Sequence, residues 1–563
     1  MHFVLTLHSH LPYVLNHGRW PHGSDWLCEA TVDTYLPLLE ALTELKEEGF
    51  VAPVTLGITP VLANQLASPT FREEMEAFFQ QRLDACDEAP ASLAETGDRE
   101  LFPLVDYWRA RFLRFRNLFH DIDGDLLGAF RKLEEEARLE IISSAATHGF
   151  LPLLGREESI RLQLAVGAAE HRRLFGRDPK GCWAPECAYR PGGTWNPIDG
   201  VSSLSERAGL EEFMAEAGFE FFFIETHMAE AGEALGWSGD VPHGTERFDA
   251  AFTGEARTGE AESIRSAYQA YYVGEPNSGK GLAAFVREPK ASMQVWSRQL
   301  GYPGDGSYLE FHKIRWPSGL KYWSVTGSDV DLGAKLPYDP KQARYRASDH
   351  ATHFSGFLGH IQRKEKVGSS GVAMAPFDTE LFGHWWFEGV DFLRELFTRL
   401  PFREGVVPVT ASEHLQSFPA RAAIRPLQGS WGANGDFSMW LNPETEWTWK
   451  RLWPLEDLFW TTAPEALKAS EESRSLLGQA ARQLLLAQSS DWQFMISTGA
   501  VPDYAEERLN LHCDDADVLL AALQPGASEE ALDEARERAR ELEVRDDLFP
   551  DILKSVTAVL DRR

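Results

Sequence analysis

Cysteine is scarce in this 563-residue chain: there are five, an odd number, scattered along its whole length. Such a set does not make the paired framework of a small secreted domain. Positive charge is short as well. Lys and Arg number 55 against 86 Asp and Glu, a net charge of −31, which argues against a nucleic acid or an anionic membrane surface as partner. No stretch reaches the roughly 18 apolar residues that a spanning helix needs. The N-terminus, MHFVLTLHSHLPYV, lacks the basic start, long apolar run and small-residue cleavage site of a secretory leader. These absences predict a cytoplasmic protein without a nucleic-acid or membrane partner. Cys182 and Cys187 flank Glu186 without CxxC spacing and read as small buried hydrophobes.

What the chain has in plenty is aromatic side chains, 12% of the total, with 18 Trp among them. Trp fills cores, and it also stacks on the flat C–H faces of sugar rings. Seven short β-rich runs recur: Phe3–Leu7, Val54–Ile58, Ile141–Ala146, Gly181–Pro185, Phe221–Ile224, Val372–Phe377 and Val406–Val409. Amphipathic stretches such as Thr34–Glu47, Leu126–Arg138 and Glu157–Phe175 lie between them, a pattern that predicts parallel strands. Just past five of these runs come polar, titratable groups: His8 and His10, His148, Glu186, Glu225 and His227, and Asp378 and Glu380. In a barrel such strand ends converge on one face, whereas an open sheet strings them along an edge. The pattern therefore favours a barrel. Gly232 to Glu262, rich in Gly and Glu, reads as a surface excursion or lid. Beyond about residue 415 the pattern turns helical, as in Glu465–Gln488 and Ser528–Val544.

Glu186 and Asp378 both follow apolar strands beside aromatics. Two carboxyls facing each other across a barrel mouth suit glycosyl transfer, and a separation of roughly 5–5.5 Å would give retention. A lone acid after a strand more often caps the next helix or pairs with an Arg. Five polar strand ends together point instead to a site. The histidines leave a rival open: His8, His10 and His148, with Asp378 or Glu225, could hold a divalent metal. Without one, they would hydrogen-bond to sugar hydroxyls. Trp431, Trp440, Trp447 and Trp449 crowd into GSWGANGDFSMWLNPETEWTW. Trp447 and Trp449, two apart, suit a core, while Trp431 sits in a Gly-rich loop where a ring needs a cover, such as a glucan.

Several stretches together carry a specific resemblance: HSHLPYV, AATHGFLPLL, GCWAPECAY, FFFIETH, VWSRQLGYPGD, FDTELFGHWWFEG, SWGANGDFSMWLN and SSDWQFMISTG. On these the chain resembles glycoside hydrolase family 57, and within it the 1,4-α-glucan branching enzymes, almost end to end. The resemblance implies an α/β fold, an incomplete TIM-type (β/α)7 barrel over 1–415 with an insertion or lid at about 187–275. It also implies a helical segment after the fourth strand and an α-helical C-terminal domain over 416–563. It implies Glu186 as nucleophile and Asp378 as general acid/base. Arg287, Gly304, Trp431 and Asp491 fall on substrate-binding positions, and His10, His148, Trp26, Trp296 and Trp440 on positions lining the glucan cleft. It implies α-1,4-glucan chains as donor and acceptor, and neither metal nor cofactor. In the family a lid carries a tyrosine at its tip, yet no Tyr lies between His227 and Tyr268. The aromatics there are Trp237, Phe248 and Phe252. A retaining α-amylase or 4-α-glucanotransferase is therefore the alternative.

Overall fold

Strand and helix alternate from the first residues, and the strands close on themselves. In the computed structural model, which describes residues 1–136, 138–200, 205–238, 265–279, 281–297 and 300–562, seven strands form the ring. They are β1 (His2–Ser9), β2 (Val54–Ile58), β3 (Leu139–Ser144), β4 (Cys182–Trp183), β5 (Phe221–Ile224), β6 (Leu282–Val286) and β7 (Val372–Asp378). Each pairs in parallel with the next, β4 and β5 through the single bridge Gly181↔Phe221. The bridge Arg287↔Met374 joins the end of β6 to β7, and β7 pairs with β1 from His2↔Val372 to His8↔Asp378. That register sets His8 level with Asp378 at the C-terminal rim.

Period-two alternation fills the barrel. Phe221 and Phe223 join Val4, Ile142, Trp183, Phe285 and Met374 in the interior cluster, while Phe222 and Ile224 pack outward against the helical layer. Six of the seven runs expected from sequence are barrel strands. Val406–Val409 is not: only Val407–Pro408 pairs, with His2 and Phe3 at the foot of β1. The missing strand is β6, LAAFV, whose paired alanines give little β signal.

The expected helical segment after the fourth strand is also displaced. Between β4 and β5 lie an antiparallel pair, Gly193–Trp195 with Ser205–Arg207, and the seven-residue helix Leu210–Glu216. The long helices follow β2 instead. Pro69–Thr96 starts where the Ser68 side chain accepts from the Thr70 N–H and stops at Gly97, whose φ of 85° suits glycine. It packs Phe71 and Phe79 against Phe119 of Phe102–Asp121. The body runs on beyond 415, because Ala422–Arg425 pairs with Tyr271–Val273 and with Glu233–Trp237. Helices dominate from Glu446, beginning with Glu446–Lys468 and Glu471–Ala487. Of the expected lid, Phe248 and Phe252 lie outside the described residues, and Trp237 ends the strand Glu233–Trp237.

Among the described residues no helix is long and apolar enough to cross a membrane.

Candidate active site

Directly after β4 the chain turns through Pro185–Cys187 with Glu186 at φ 62°. Left-handed backbone is rare for Glu and costs about 1–3 kcal/mol, so the surroundings must hold it. They do. The Trp431 N–H donates to the Glu186 carbonyl at 2.9 Å, and Tyr189 and Gly429 exchange backbone bonds of 2.9 and 3.1 Å beside it. The same loop supplies a side chain, since Trp431 Nε1 donates to Glu186 Oε2 at 2.7 Å. Ser490 Oγ donates to the other oxygen, Oε1, at 3.0 Å. Burial pushes the Glu186 carboxyl up to about 7, while the Trp431 and Ser490 bonds oppose that rise.

Asp378 closes β7 across the same mouth. Burial raises its carboxyl well above the usual range, and the nearby Glu380 and Glu186 charges raise it further. His10 and Arg287 oppose them. Glu380 accepts from Tyr35 Oη and, at 3.2 Å, from the His10 N–H. Burial lifts it to about 7.

Four rings stack behind the carboxyls. His8 lies on Trp183 with centroids 4.6 Å apart, and His10 on His148 at 4.0 Å. His10 Nε2 sits 2.9 Å from Asp491 Oδ2 and its Nδ1 3.0 Å from Thr59 Oγ1. Burial works to raise Asp491, yet the His10 ring and the Ser489 hydroxyl outweigh it and draw the acid down to about 2. The ligand-type atoms of His10, His148 and Asp491 lie within 4.8 Å of one another. Each of the three side chains is already engaged within the site, His148 with His8 and Ser490.

One cavity of about 1380 Å³ brings most of the expected residues together: Glu186, Asp378, His10, His148, Arg287, Asp491 and four tryptophans. Arg287 Nη1 donates to Glu225 Oε1 at 2.8 Å, so the guanidinium is held from β5's end. Trp26, Trp296 and Trp431 are partly open to the cavity, whereas Trp440 is fully buried and stacks on Phe150 at 4.4 Å. Trp440 forms wall rather than a free stacking face. Gly304 does not join them: it is exposed in the turn Tyr302–Gly304, away from the cavity lining.

Sequence reasoning gave no role to Ser490, whose neutral hydroxyl stands out only beside Glu186. It also missed two rim tryptophans, Trp20 and Trp316, which are 66% and 71% exposed with rings 6.1 Å apart. A signal existed, for each sits in the same short pattern, RWPHG and RWPSG.

Comparison with known proteins supplies the family. Residues 4–425 match Glycosyl hydrolase family 57, and residues 455–556 match the 1,4-alpha-glucan branching enzyme C-terminal family. A 1,4-alpha-glucan branching enzyme of Thermococcus kodakarensis is 38% identical over 91% of this chain and 72% of its own. Its crystal structure superposes with a TM-score of 0.85 at 35% identity, covering 99% of this chain and 96% of that one. The branching enzyme of Pyrococcus horikoshii gives 0.85 at 36% identity, with the same shares of each chain. The α-amylase AmyC of Thermotoga maritima gives 0.79 at 28%, covering 98% of both. On the match over residues 4–425 and the 38% identity, this chain belongs to glycoside hydrolase family 57.

Proposed function

We propose that this chain is a 1,4-α-glucan branching enzyme working by double displacement at Glu186 and Asp378. One observation carries the reading: the two carboxyls line one cavity, and their surroundings suit opposite tasks. Glu186 has a hydrogen-bond donor on each oxygen, which favours the carboxylate. Burial raises both carboxyls; at Asp378 the neighbouring Glu380 and Glu186 charges add to that rise and favour its proton, whereas at Glu186 the two donors oppose it.

In the first step Glu186 attacks the anomeric carbon of an α-1,4-linked residue while Asp378 gives its proton to the departing glycosidic oxygen. A glycosyl ester on Glu186 results. Asp378, now ionised, takes the proton of a 6-hydroxyl on an acceptor chain. That oxygen attacks the ester carbon, the ester bond breaks, and an α-1,6 link forms. Transfer must outrun water, which it does by holding the acceptor in place and keeping the cleft dry. Arg287, Asp491, His10 and His148 supply hydrogen bonds to glucan hydroxyls. Trp431, Trp26 and Trp296 offer ring faces, and Trp440 backs the wall. Trp20 and Trp316 extend the aromatic surface to the rim.

The five cysteines are free and buried, which suits a reducing compartment. We assign the reaction to the cytoplasm and to glycogen assembly, with α-1,4-glucan as donor and acceptor. The likeness to AmyC supports a second reading, hydrolysis with retention. Incubation with amylose separates them: branching builds α-1,6 links with few new reducing ends, whereas steady release of reducing sugar would favour the amylase.

A further inference from the structure

Counting protons along four side chains tells more than either carboxyl alone. Ser490 Oγ lies 3.0 Å from Glu186 Oε1 and 3.0 Å from His148 Nδ1. His148 Nε2 lies 3.0 Å from His8 Nε2, and His8 Nδ1 is buried without a partner among the described residues. Burial holds both imidazoles well below their usual range, so each is neutral and carries one N–H. A hydroxyl also has one proton to give. An ionised Glu186 only accepts, so Ser490 donates to it and takes the N–H of His148 Nδ1. His148 Nε2 is then bare and must accept from His8 Nε2–H. That leaves His8 Nδ1 as a bare lone pair, facing no donor, as found. Run in reverse, the chain would bury an N–H on His8 Nδ1 with no acceptor, the rarer kind of orphan in folded proteins.

The segments that carry this chain are stitched together. The Ser490 N–H donates to the His148 carbonyl at 3.1 Å, and Gln163 Nε2 donates to Gln488 Oε1 at 3.0 Å. The Gln163 Oε1 accepts from the Thr147 N–H at 3.1 Å. The C-terminal helical region thus delivers Ser490 to the barrel mouth at a fixed place.

We propose that Ser490 is a positioning residue for Glu186, its single proton aimed at Oε1 by the one-way chain from His8 through His148. The idea rests on the glucan-transfer reading of Glu186, but one arm of its test does not. Asp491, Asp378 and the ring of His10 also face Glu186, and all three stay in place in the variants below.

Replacing Ser490 removes a hydrogen bond that favours the carboxylate, so the Glu186 titration must rise. Ser490→Ala should lower kcat on amylose about 10- to 100-fold near neutral pH, leave KM within about twofold, and move the acid limb of the rate upward by about one pH unit. Ser490→Thr, which keeps the hydroxyl, should bring the limb back. The carboxyl titration itself, read as an infrared difference against Glu186→Gln, should move with the limb. This arm needs no branching chemistry, so absence of α-1,6 links in the native protein would sink the function and leave this inference to the infrared result. An S490A protein that melts like the native one yet keeps both limb and titration overturns the proposal. Should S490A not fold, His8→Phe keeps a ring on Trp183 and removes the first donor. It must shift the same titration upward, by less, and an unshifted value overturns the proposal equally.

Discussion

The floor and the rim of the cleft are built on different terms. At the floor, Glu186 is pinned at φ 62°, both its oxygens are bonded, and three stacked histidines stand behind it. At the rim, Trp20 and Trp316 show most of their surface to solvent, their rings 6.1 Å apart. A carboxylate that must attack one carbon gains from being fixed beforehand, since misplacement of an ångström is costly. A surface that passes glucan chains of any length gains from breadth instead. Changes at the floor should therefore act on kcat and on its pH dependence, and changes at the rim on KM.

The largest expected effect comes from the two carboxyls. Glu186→Gln and Asp378→Asn should each lower turnover by about a thousandfold or more while the melting temperature stays near that of the native protein. Either variant retaining native turnover would break the comparison at once. Glu186→Gln carries a second expectation. It removes a charge that raises Asp378, so the Asp378 titration in that variant should fall, a shift that infrared difference spectra can follow.

Next comes Glu380, which touches neither reacting oxygen in the proposed scheme yet raises Asp378 by its charge. Glu380→Gln should lower the Asp378 titration. The acid/base then loses its proton at lower pH, so the alkaline limb of the rate moves down while the acid limb, set by Glu186 at about 7, stays. A pH profile from 6 to 10 checks it. A loss of rate uniform across that range would mean that Glu380 acts through Tyr35 and the fold rather than through its charge.

Part of this site is written in the sequence and part is not. The placement of Glu186 and Asp378 at one mouth was legible because Asp378 ends an apolar strand and Glu186 follows one, and a parallel barrel gathers such ends on one face. Strand β6 was not, because LAAFV offers two alanines where β propensity is weak, and the bridge Arg287↔Met374 that closes the ring is a tertiary fact. Val406–Val409 had the right residues and the wrong surroundings: with β1 already paired to β7, only two residues find a ladder. Ser490 was invisible for a different reason. Its role depends on a proton's direction, which is set by residues 304 and 342 positions away in the chain. Trp440, read as lining the cleft, does line the cavity but as wall, wholly buried against Phe150, and no local pattern tells a wall tryptophan from an open one.

The smallest effect sharpens the comparison most. Trp316 is 71% exposed and lines the same cavity as Glu186, so its ring can meet a sugar without touching a reacting atom. Apolar area lost from contact is worth about 25 cal/mol per Å², so one ring face of roughly 40 Å² accounts for about 1 kcal/mol. Trp316→Ala should therefore raise KM for amylose several-fold, with kcat and both pH limbs unchanged. Trp20→Ala should do the same, and the double variant should cost less than the sum of the two if rings 6.1 Å apart stack on one chain of sugars. For maltooligosaccharides too short to reach the rim, KM should not move. A fall in kcat on those short substrates would mean that the rim shapes the floor, and the division between fixed chemistry and open binding would have to be redrawn.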